Sequence, residues 1–318
     1  MAEPDILILR PVMSIVTDQL ARRFPLSRLW EEADKDAFLA AVGPRIRGVV
    51  AGGPVDAALV ARLPALEIVS NFGVGYDGVD TAACAAAGVV VTNTPDVLTD
   101  EVADLALGLL LATVRELPQA DRYLRAGRWL ERPYPLTATL RGRRLGIVGL
   151  GRIGRAIATR AAAFGLEIAY HGRNRQADMP YAYYDSTVGL AAAVDILMVV
   201  APGGAGTRHL VNGEVLKALG PEGVLINVAR GSLVDEDALI AALEAGAIKA
   251  AGLDVFADEP RVPERLIARD NVVLLPHVGS ASVHTRNAMA QLVVDNLLSW
   301  FDGRGPLTPV PETPVPRR

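Results

Sequence analysis

Three side chains in the second half of the sequence, Arg230, Glu259 and His277, each come just after an apolar run with strand character. Taken singly, each has an ordinary explanation: a surface arginine, a loop acid before a proline, or a buried histidine. Open α/β sheets bind their ligands at the carboxyl ends of the strands. Three such side chains at successive predicted strand ends therefore indicate a functional site.

The three residue types suit the reduction of a carbonyl group. A hydride that moves to a ketone leaves a growing oxyanion, which needs a proton and a cation. Histidine titrates near neutral pH, so His277 is the candidate general acid. Glu259, hydrogen-bonded to that imidazole, would favour the protonated ring and fix its orientation. Arg230 can hold a carboxylate beside the carbonyl in a paired geometry and polarise the carbonyl.

A glycine-rich turn earlier in the chain predicts a dinucleotide site. It follows a strand-like run, residues 145–148, and precedes an alanine-rich helix predicted for residues 155–164. Its glycines fit G-x-G-x-x-G, in which they allow a tight turn, close approach to a pyrophosphate and close packing of helix on strand. The N–H groups at the helix start would face the phosphates. The predicted cofactor contacts here are Gly149, Leu150, Gly151, Arg152, Ile153 and Gly154.

The residues after the next predicted strand, 167–171, favour NADP(H). An NAD site has an acid about 20 positions beyond the glycines to bind the ribose hydroxyls. Here no acid occurs before Asp178, and Arg173 and Arg175, on either side of Asn174, offer two guanidinium groups for a 2′-phosphate. The alternative is that both arginines are merely solvated. We expect a preference for NADP(H), with NAD(H) also possible.

Alternating strand-like and helix-like segments predict two parallel sheets that carry these residues. Residues 5–98 form one small α/β domain, and residues from about 100 to 287 form a doubly wound sheet of six or more strands. Residues 99–125 read as one long helix, apolar on nearly all sides. That helix is either a core helix or a dimer contact. Residues 282–301 form a last long helix, and the proline-rich tail from Pro306 is expected to be extended and partly disordered.

Composition excludes several classes of protein. The 318 residues suit two domains, and 51% of them are hydrophobic, so a large core can be buried. A net charge of −4 without a long basic run argues against a nucleic-acid partner. Cys84 is the only cysteine, and no cluster has metal-ligand spacing. No apolar block is long enough to span a membrane, and the acidic N-terminus is unlike a signal peptide. We therefore expect a cytoplasmic protein without a metal or a membrane.

In four blocks, taken in order, the sequence resembles the D-isomer-specific 2-hydroxyacid dehydrogenase family. The blocks are residues 148–154, 227–236, 252–256 and 276–280. Within the family, residues 94–100 and the Gly172-Arg173 pair are most similar to NADPH-preferring glyoxylate/hydroxypyruvate reductases. The resemblance implies an α/β fold in which a Rossmann-type domain, residues 99–287, is inserted into a smaller flavodoxin-like substrate domain. Residues 1–98 and 288–318 would form that substrate domain, a cleft would close between the two, and the protein would be a homodimer.

The resemblance also implies roles for individual residues. Arg230 would bind the substrate carboxylate and carbonyl, His277 would donate the proton, and Glu259 would be its partner. The backbone N–H groups of Val74 and Gly75 would bind the carboxylate. The remaining contacts would be Asp254 near the nicotinamide, Thr99, Val228 and Ala229 at the cofactor, and Gly279 and Ser280 beside both ligands.

One segment, residues 201–207, is richer in glycine than the family's usual loop. Its cofactor contacts, through Ala201, Pro202 and Thr207, are expected on weaker grounds. Of the other histidines, His171 is placed near the adenine ribose, while His209 and His284 are expected to be structural or exposed.

The sequence thus predicts NADPH-dependent reduction of small 2-keto acids, glyoxylate and hydroxypyruvate, to D-2-hydroxy acids. One alternative is a reductase of bulkier acids such as hydroxyphenylpyruvate, which differs in pocket volume. A non-enzymatic alternative is a dinucleotide-sensing scaffold, since the resemblance extends to transcriptional corepressors. The intact set of Arg230, Glu259 and His277 argues against that scaffold.

Overall fold

A computed structural model describes residues 4–313, in which strands alternate with helices. In chain order the elements are β1 (Asp5–Ile8), α1 (Ser14–Leu20), β2 (Leu26–Arg28), α2 (Lys35–Val42), β3 (Ile46–Ala51), α3 (Ala57–Ala61), β4 (Ile68–Asn71), α4 (Thr81–Ala86), β5 (Val90–Thr92), α5 (Thr99–Val114), α6 (Leu117–Arg125), β6 (Arg144–Val148), α7 (Arg152–Ala163), β7 (Glu167–His171), β8 (Ala182–Tyr184), α8 (Thr187–Ala192), β9 (Ile196–Val199), α9 (Gly213–Leu219), β10 (Val224–Asn227), α10 (Glu236–Glu244), β11 (Ala250–Leu253), α11 (Glu264–Ile267), β12 (Val272–Leu274) and α12 (Val283–Phe301). Within residues 4–313 no helix is long and apolar enough to cross a membrane.

The chain divides into two compact units. Thr99–Ala281 forms one unit, and the residues up to Leu98 together with those from Ser282 onward form the other. The second boundary falls just before α12, ahead of the predicted division after residue 287. The Ser282 hydroxyl accepts a hydrogen bond from the Thr285 N–H at 3.1 Å, so α12 starts with its own N-cap at this boundary. The naming of the two units as substrate and cofactor domains stays a prediction.

The first unit is a five-stranded parallel sheet in the order β2-β1-β3-β4-β5. This is the flavodoxin-like order. One face of the sheet packs on residues of α2, α3 and α4, among them the buried Leu39, Val60 and Cys84. The other face packs on α1 and on α12, through Val293 and Leu297. The last helix therefore completes a layer that the first hundred residues leave open.

The part of the tail that the structure describes runs along strand β5. Thr92 and Pro309 form an antiparallel bridge, and the Val310 N–H donates to the Val91 carbonyl at 2.9 Å. The buried Thr313 hydroxyl accepts from the Val91 N–H at 2.9 Å. Residues 309–313 thus cover the open edge of β5. The predicted partial disorder of the tail stays a prediction. Pro314 and the residues after it lie outside the described part of the chain.

The second unit is a seven-stranded parallel sheet in the order β8-β7-β6-β9-β10-β11-β12. Counted within the unit, this is the Rossmann order 3-2-1-4-5-6 with a seventh strand added. Helices α8, α9 and α10 pack on one face. Helix α5 packs against β11 so closely that a Cβ on Gly252 would lie 2.4 Å from the Thr113 hydroxyl. The predicted fold class, a Rossmann-type sheet with a smaller flavodoxin-like one, is confirmed.

The long helix predicted for residues 99–125 is in fact two helices, α5 and α6. Glu116 between them has φ of 52°, in the left-handed region, and Pro118 occupies the first turn of α6. A proline has no N–H and its ring clashes with a preceding helical turn, so the chain breaks here. Helix α5 itself has eight buried residues and contacts β10, β11, β12 and α7, as the core-helix alternative expects.

Three short elements were not predicted, namely β2, β8 and α11. Strands β2 and β8 have three residues each and lie at the edges of their sheets. Such runs are too short for an alternating pattern to appear in the sequence. The single cysteine is structural, since burial raises the pKa of the Cys84 thiol to about 11.

Candidate active site

The predicted residues of the seven-stranded unit follow parallel strands. They therefore meet at the end of the sheet where the strands have their carboxyl termini. Gly149 follows β6, Arg230 follows β10, Asp254 follows β11 and His277 follows β12. The strand order reverses between β6 and β9, and such switch points form the ligand crevice of open α/β sheets. The structure thus brings the glycine loop and the three ionisable groups to the same carboxyl-terminal end of the sheet.

His277 and Glu259 form a hydrogen-bonded pair, as predicted. The His277 Nδ1 lies 2.7 Å from Glu259 Oε2, and Glu259 Oε1 accepts from the Phe256 N–H at 3.1 Å. The carboxylate is therefore anchored while it orients the imidazole. His277 has φ of 53°, a strained region for a side-chain-bearing residue, and the side chain is 45% exposed. An accessible imidazole with Nδ1 engaged presents Nε2 to a ligand.

Asp254 braces the loop that carries His277. Its carboxylate is 1% exposed and accepts from the Val278 N–H at 2.7 Å and the Gly279 N–H at 2.8 Å. Burial raises the pKa of the Asp254 carboxyl, and these two N–H donors oppose that shift. A Cβ on Gly279 would lie 3.1 Å from Asp254 Oδ2, so the brace also favours glycine there. Its contact with the nicotinamide stays a prediction.

Asn227, which the sequence argument did not single out, shapes the loop that presents Arg230. Its buried side chain donates to the Arg230 carbonyl at 2.9 Å and accepts from the Ala229 N–H at 3.0 Å. The Arg230 guanidinium donates to the Ala229 carbonyl at 2.7 Å. A Cβ on Gly231 would come within 1.9 Å of the Phe256 backbone, so this loop packs directly on the β11 loop. An asparagine at the end of a predicted strand was the available signal.

The three glycines of the loop have different physical reasons. A Cβ on Gly149, whose φ is 100°, would lie 2.7 Å from the Ala201 backbone, and one on Gly154 would lie 2.2 Å from the Gly149 carbonyl oxygen. Gly151 has no protein atom within 4 Å of a Cβ position, so protein packing does not require that glycine. Gly151 is also the N-cap of α7 and makes no side-chain cap. Open space and free N–H groups at a helix start fit a dinucleotide pyrophosphate.

The segment after β7 exposes Arg173, Asn174 and Arg175. Neither arginine has an ion pair or hydrogen bond within residues 4–313, which leaves both guanidinium groups available for a phosphate. Asp178, the first acid after the strand, is instead bound by Arg155 at 2.7 Å. The His171 ring lies 3.0 Å from the Tyr184 carbonyl oxygen through Nδ1. The contacts predicted here with an adenosine ribose stay predictions.

In the five-stranded unit, two asparagines shape the turn that contains Val74 and Gly75. The Asn71 side chain donates to the Gly73 and Gly75 carbonyls at 3.1 and 3.0 Å, and Asn93 donates to the Val74 carbonyl at 2.8 Å. Among the described residues, the Val74 and Gly75 N–H groups have no acceptor. Backbone donors need a partner, so these two suit a ligand carboxylate.

The remaining predicted contacts belong to the loops after β10 and β12 and to the start of α5. Val228 and Ala229 are buried beside Arg230, Thr99 begins α5, and Ser280 is half-buried after the Asp254 brace. His209 is paired with Asp235 at 3.8 Å, and His284 lies in the first turn of α12. In the described part of the chain no group of His, Cys, Asp or Glu could hold a metal ion.

With this geometry in place, comparison with known proteins decides the family. Residues 107–279 match the model described as "D-isomer specific 2-hydroxyacid dehydrogenase, NAD binding domain". The chain belongs to the D-isomer specific 2-hydroxyacid dehydrogenase family. The resemblance carried by the four sequence blocks is thereby confirmed.

Similar members of the family cover almost the whole chain. A glyoxylate/hydroxypyruvate reductase A of Arabidopsis thaliana is 50% identical over 96% of this chain and 98% of its own. A hydroxyphenylpyruvate reductase of Plectranthus scutellarioides is also 50% identical, with the same coverage. An NADPH-dependent glyoxylate/hydroxypyruvate reductase of Sinorhizobium meliloti, solved with NADP and malonate, is 54% identical with a TM-score of 0.96. That alignment covers 100% of this chain and 99% of the solved one.

The loop of residues 201–207 is richer in glycine than the usual 2-hydroxyacid dehydrogenase pattern. Hydrogen bonds and packing nevertheless stabilise its conformation. The Thr207 hydroxyl donates to the Pro202 carbonyl at 2.8 Å, and Ala201 packs against Gly149 of the glycine loop. Gly204 has φ of 140°, which the added glycine makes possible. Cofactor contacts of Ala201, Pro202 and Thr207 stay predictions.

Proposed function

We propose that this member of the family is an NADPH-dependent reductase that converts small 2-keto acids to D-2-hydroxy acids. The observation that carries the proposal is the His277–Glu259 hydrogen bond of 2.7 Å. It lies at the carboxyl-terminal end of the sheet, which also bears the glycine loop and Arg230. Carbonyl reduction needs a proton donor, a cation and a dinucleotide-binding loop, and all three lie at this end of the sheet. The open space at Gly151 and the guanidinium groups of Arg173 and Arg175 support NADPH as the cofactor.

The site residues divide substrate binding and proton donation between them. Arg230 binds the substrate carboxylate and polarises the carbonyl. For the five-stranded unit, the proposal is that the Val74 and Gly75 N–H groups bind a carboxylate. NADPH, when bound, supplies the hydride to the carbonyl carbon. His277, held through Nδ1 by Glu259, donates its Nε2 proton to the carbonyl oxygen. The carbonyl group thus gains a hydride at carbon and a proton at oxygen and becomes a hydroxyl group. Asp254 keeps the His277 loop in place.

Glyoxylate and hydroxypyruvate are the proposed substrates, because two of the similar proteins are reductases of these acids. A second candidate is hydroxyphenylpyruvate, since a reductase of that acid is equally similar. An aromatic 2-keto acid needs a larger pocket but the same carboxylate and carbonyl contacts. The two functions therefore differ in turnover of aromatic against small substrates, and share the site residues.

A substrate panel tests the proposed function. The decrease in absorbance of NADPH is followed with glyoxylate, hydroxypyruvate, phenylpyruvate and hydroxyphenylpyruvate, and NADH is used in parallel. We expect the highest kcat/KM for a small acid with NADPH. A higher kcat/KM for the aromatic acids would select the second candidate. No turnover of any 2-keto acid would contradict both and favour a dinucleotide-sensing scaffold.

Replacing Arg173 and Arg175 together by alanine is expected to weaken NADPH binding about 100-fold. Each charge-assisted hydrogen bond to a phosphate contributes about 1.5–3 kcal/mol, and the two losses are partly offset by water. NADH lacks the 2′-phosphate, so its Kd should change little. Isothermal titration calorimetry with both cofactors measures this. Equal losses for NADPH and NADH would remove the proposed role of the arginines.

We further propose that the protein is a homodimer in the cytoplasm. Five large apolar side chains are exposed within residues 117–136, which supports a partner surface in this stretch: Leu117, Leu124, Trp129, Leu130 and Leu136. Leu130 and Leu136 are 94% and 102% exposed. The variant Leu130→Glu/Leu136→Glu is expected to be monomeric in sedimentation velocity, with the wild type dimeric. A monomeric wild type would contradict the proposal.

A further inference from the structure

The segment from Gly172 to Asp178 bears the two arginines, but other residues hold it in place. Gln176 is the centre of these contacts. Its N–H donates to the Tyr170 hydroxyl at 2.7 Å, and its side-chain Nε2 donates to the Leu150 carbonyl at 2.8 Å. Tyr170 is 1% exposed and lies on β7, and Leu150 belongs to the glycine loop. Gln176 therefore ties the segment to the sheet and to the glycine loop at once.

Arg155, in the first turn of α7, completes the set of contacts. Its guanidinium donates to Gln176 Oε1 and binds both Asp178 carboxylate oxygens, at 2.7 and 3.3 Å. The hydrogen bond from Arg155 lowers the pKa of Asp178. The charge of Asp178 is therefore compensated by Arg155 and not left to repel an anionic ligand. Arg155 thus stabilises the segment, while Arg173 and Arg175 have no protein partner among the described residues.

Selectivity for a phosphate depends on how well these two arginines are held. Long guanidinium side chains on a loose segment must be ordered when a ligand binds, and this ordering weakens affinity. A segment that is already tied down loses less freedom on binding. A cofactor with a 2′-phosphate gains most from this, because NADH has no phosphate there for Arg173 and Arg175 to bind.

We infer that Gln176 is a positioning residue for cofactor selectivity. By joining Tyr170, Leu150 and Arg155, it holds Arg173 and Arg175 ready for the 2′-phosphate of NADPH without touching that phosphate itself. The inference rests on the proposed use of NADPH. It assigns part of the preference to a neutral side chain in addition to the two charges.

Equilibrium binding tests the inference apart from catalysis. Kd values for NADPH and NADH are measured by calorimetry for the wild type, Gln176→Ala, Arg173→Ala/Arg175→Ala and the triple variant. Gln176→Ala should weaken NADPH binding about tenfold and NADH binding by less than about threefold. In the triple variant, loss of Gln176 should leave the NADPH-to-NADH ratio of the double variant unchanged, because the residue acts through the arginines.

Two further variants complete the experiment. Glu167→Gln removes an exposed 3.2 Å ion pair with Arg144 at the other end of β7, and should change neither Kd. Tyr170→Phe removes only the hydroxyl that holds the Gln176 backbone. It should shift the ratio in the same direction as Gln176→Ala, and it carries the test if Gln176→Ala does not fold.

Limited trypsin digestion of the cofactor-free protein gives a second readout. Cleavage after Arg173 and Arg175 should be faster in Gln176→Ala than in the wild type, because the segment is released. Equal losses for NADPH and NADH, or a further fall of the ratio in the triple variant, would overturn the inference. A wild type without preference for NADPH would overturn the proposed cofactor as well, which separates the two failures.

Discussion

Replacing His277 by alanine should lower kcat for a 2-keto acid by about a thousandfold and leave NADPH binding unchanged. General acid catalysis contributes about 10²–10⁴ in rate, and His277 is the proposed proton donor to the carbonyl oxygen. The measurement is single-turnover reduction of glyoxylate or hydroxypyruvate, together with calorimetry of NADPH. Weakened cofactor binding with an unchanged chemical step would show that His277 belongs to the cofactor site.

His209 offers a matched control for this variant. It is also a histidine with positive φ, 51°, and it too lies near a carboxylate, Asp235. His209→Ala thus repeats the backbone strain and the loss of an acid partner away from the proposed chemistry, and kcat should stay within about twofold. His277→Asn tests folding, since asparagine tolerates the left-handed region better than alanine does.

Replacing Arg230 by lysine should lower kcat/KM about 100-fold, although the charge is kept. A guanidinium binds a carboxylate with two parallel N–H donors, and the ammonium group is a point charge without that fork. Loss of one charge-assisted hydrogen bond costs about 1.5–3 kcal/mol, which corresponds to this factor. Steady-state kinetics with hydroxypyruvate measures the change, and Kd for NADPH should be nearly constant.

A substrate without a carboxylate separates the two tasks of Arg230. With hydroxyacetone, Arg230→Lys should lose much less activity than with hydroxypyruvate, because hydroxyacetone has no carboxylate for the arginine to bind. Arg261→Lys is the control, since Arg261 lies in the loop after the next strand, β11, and is paired with the exposed Asp258 at 2.6 Å. An equal loss for both substrates would contradict carboxylate binding and leave carbonyl polarisation as the role of Arg230.

Much of the fold could be predicted because its signals are local. Strand β7 has the predicted bounds, residues 167–171, and β6 starts one residue before its predicted bounds, since each is a clear apolar run before turn residues. Elements whose stability comes from elsewhere were harder to predict. The three-residue strands β2 and β8 exist because a neighbouring strand pairs with them, and residues 309–313 lie along β5 because that strand offers an open edge.

The candidate site divides in the same way. His277, Glu259, Arg230 and the glycines were found from residue type and strand position. The residues that position them were not. Asn227 and Gln176 act by hydrogen bonds to backbone groups. The strand end was a signal for Asn227, whereas nothing in the sequence separates Gln176 from a solvated side chain.

By its own pattern, the sequence determined that two parallel α/β sheets form and that an acid–base pair, an arginine and a dinucleotide loop follow particular strands. Periodicity and turn residues act over a few positions, so they can be read along the chain. Only the tertiary structure decided that α12 closes the first sheet, that Asp178 is bound by Arg155, and that Gln176 reaches Leu150. These are contacts between residues far apart in sequence or in loops without periodicity. Packing and hydrogen-bond geometry select them after the elements have formed.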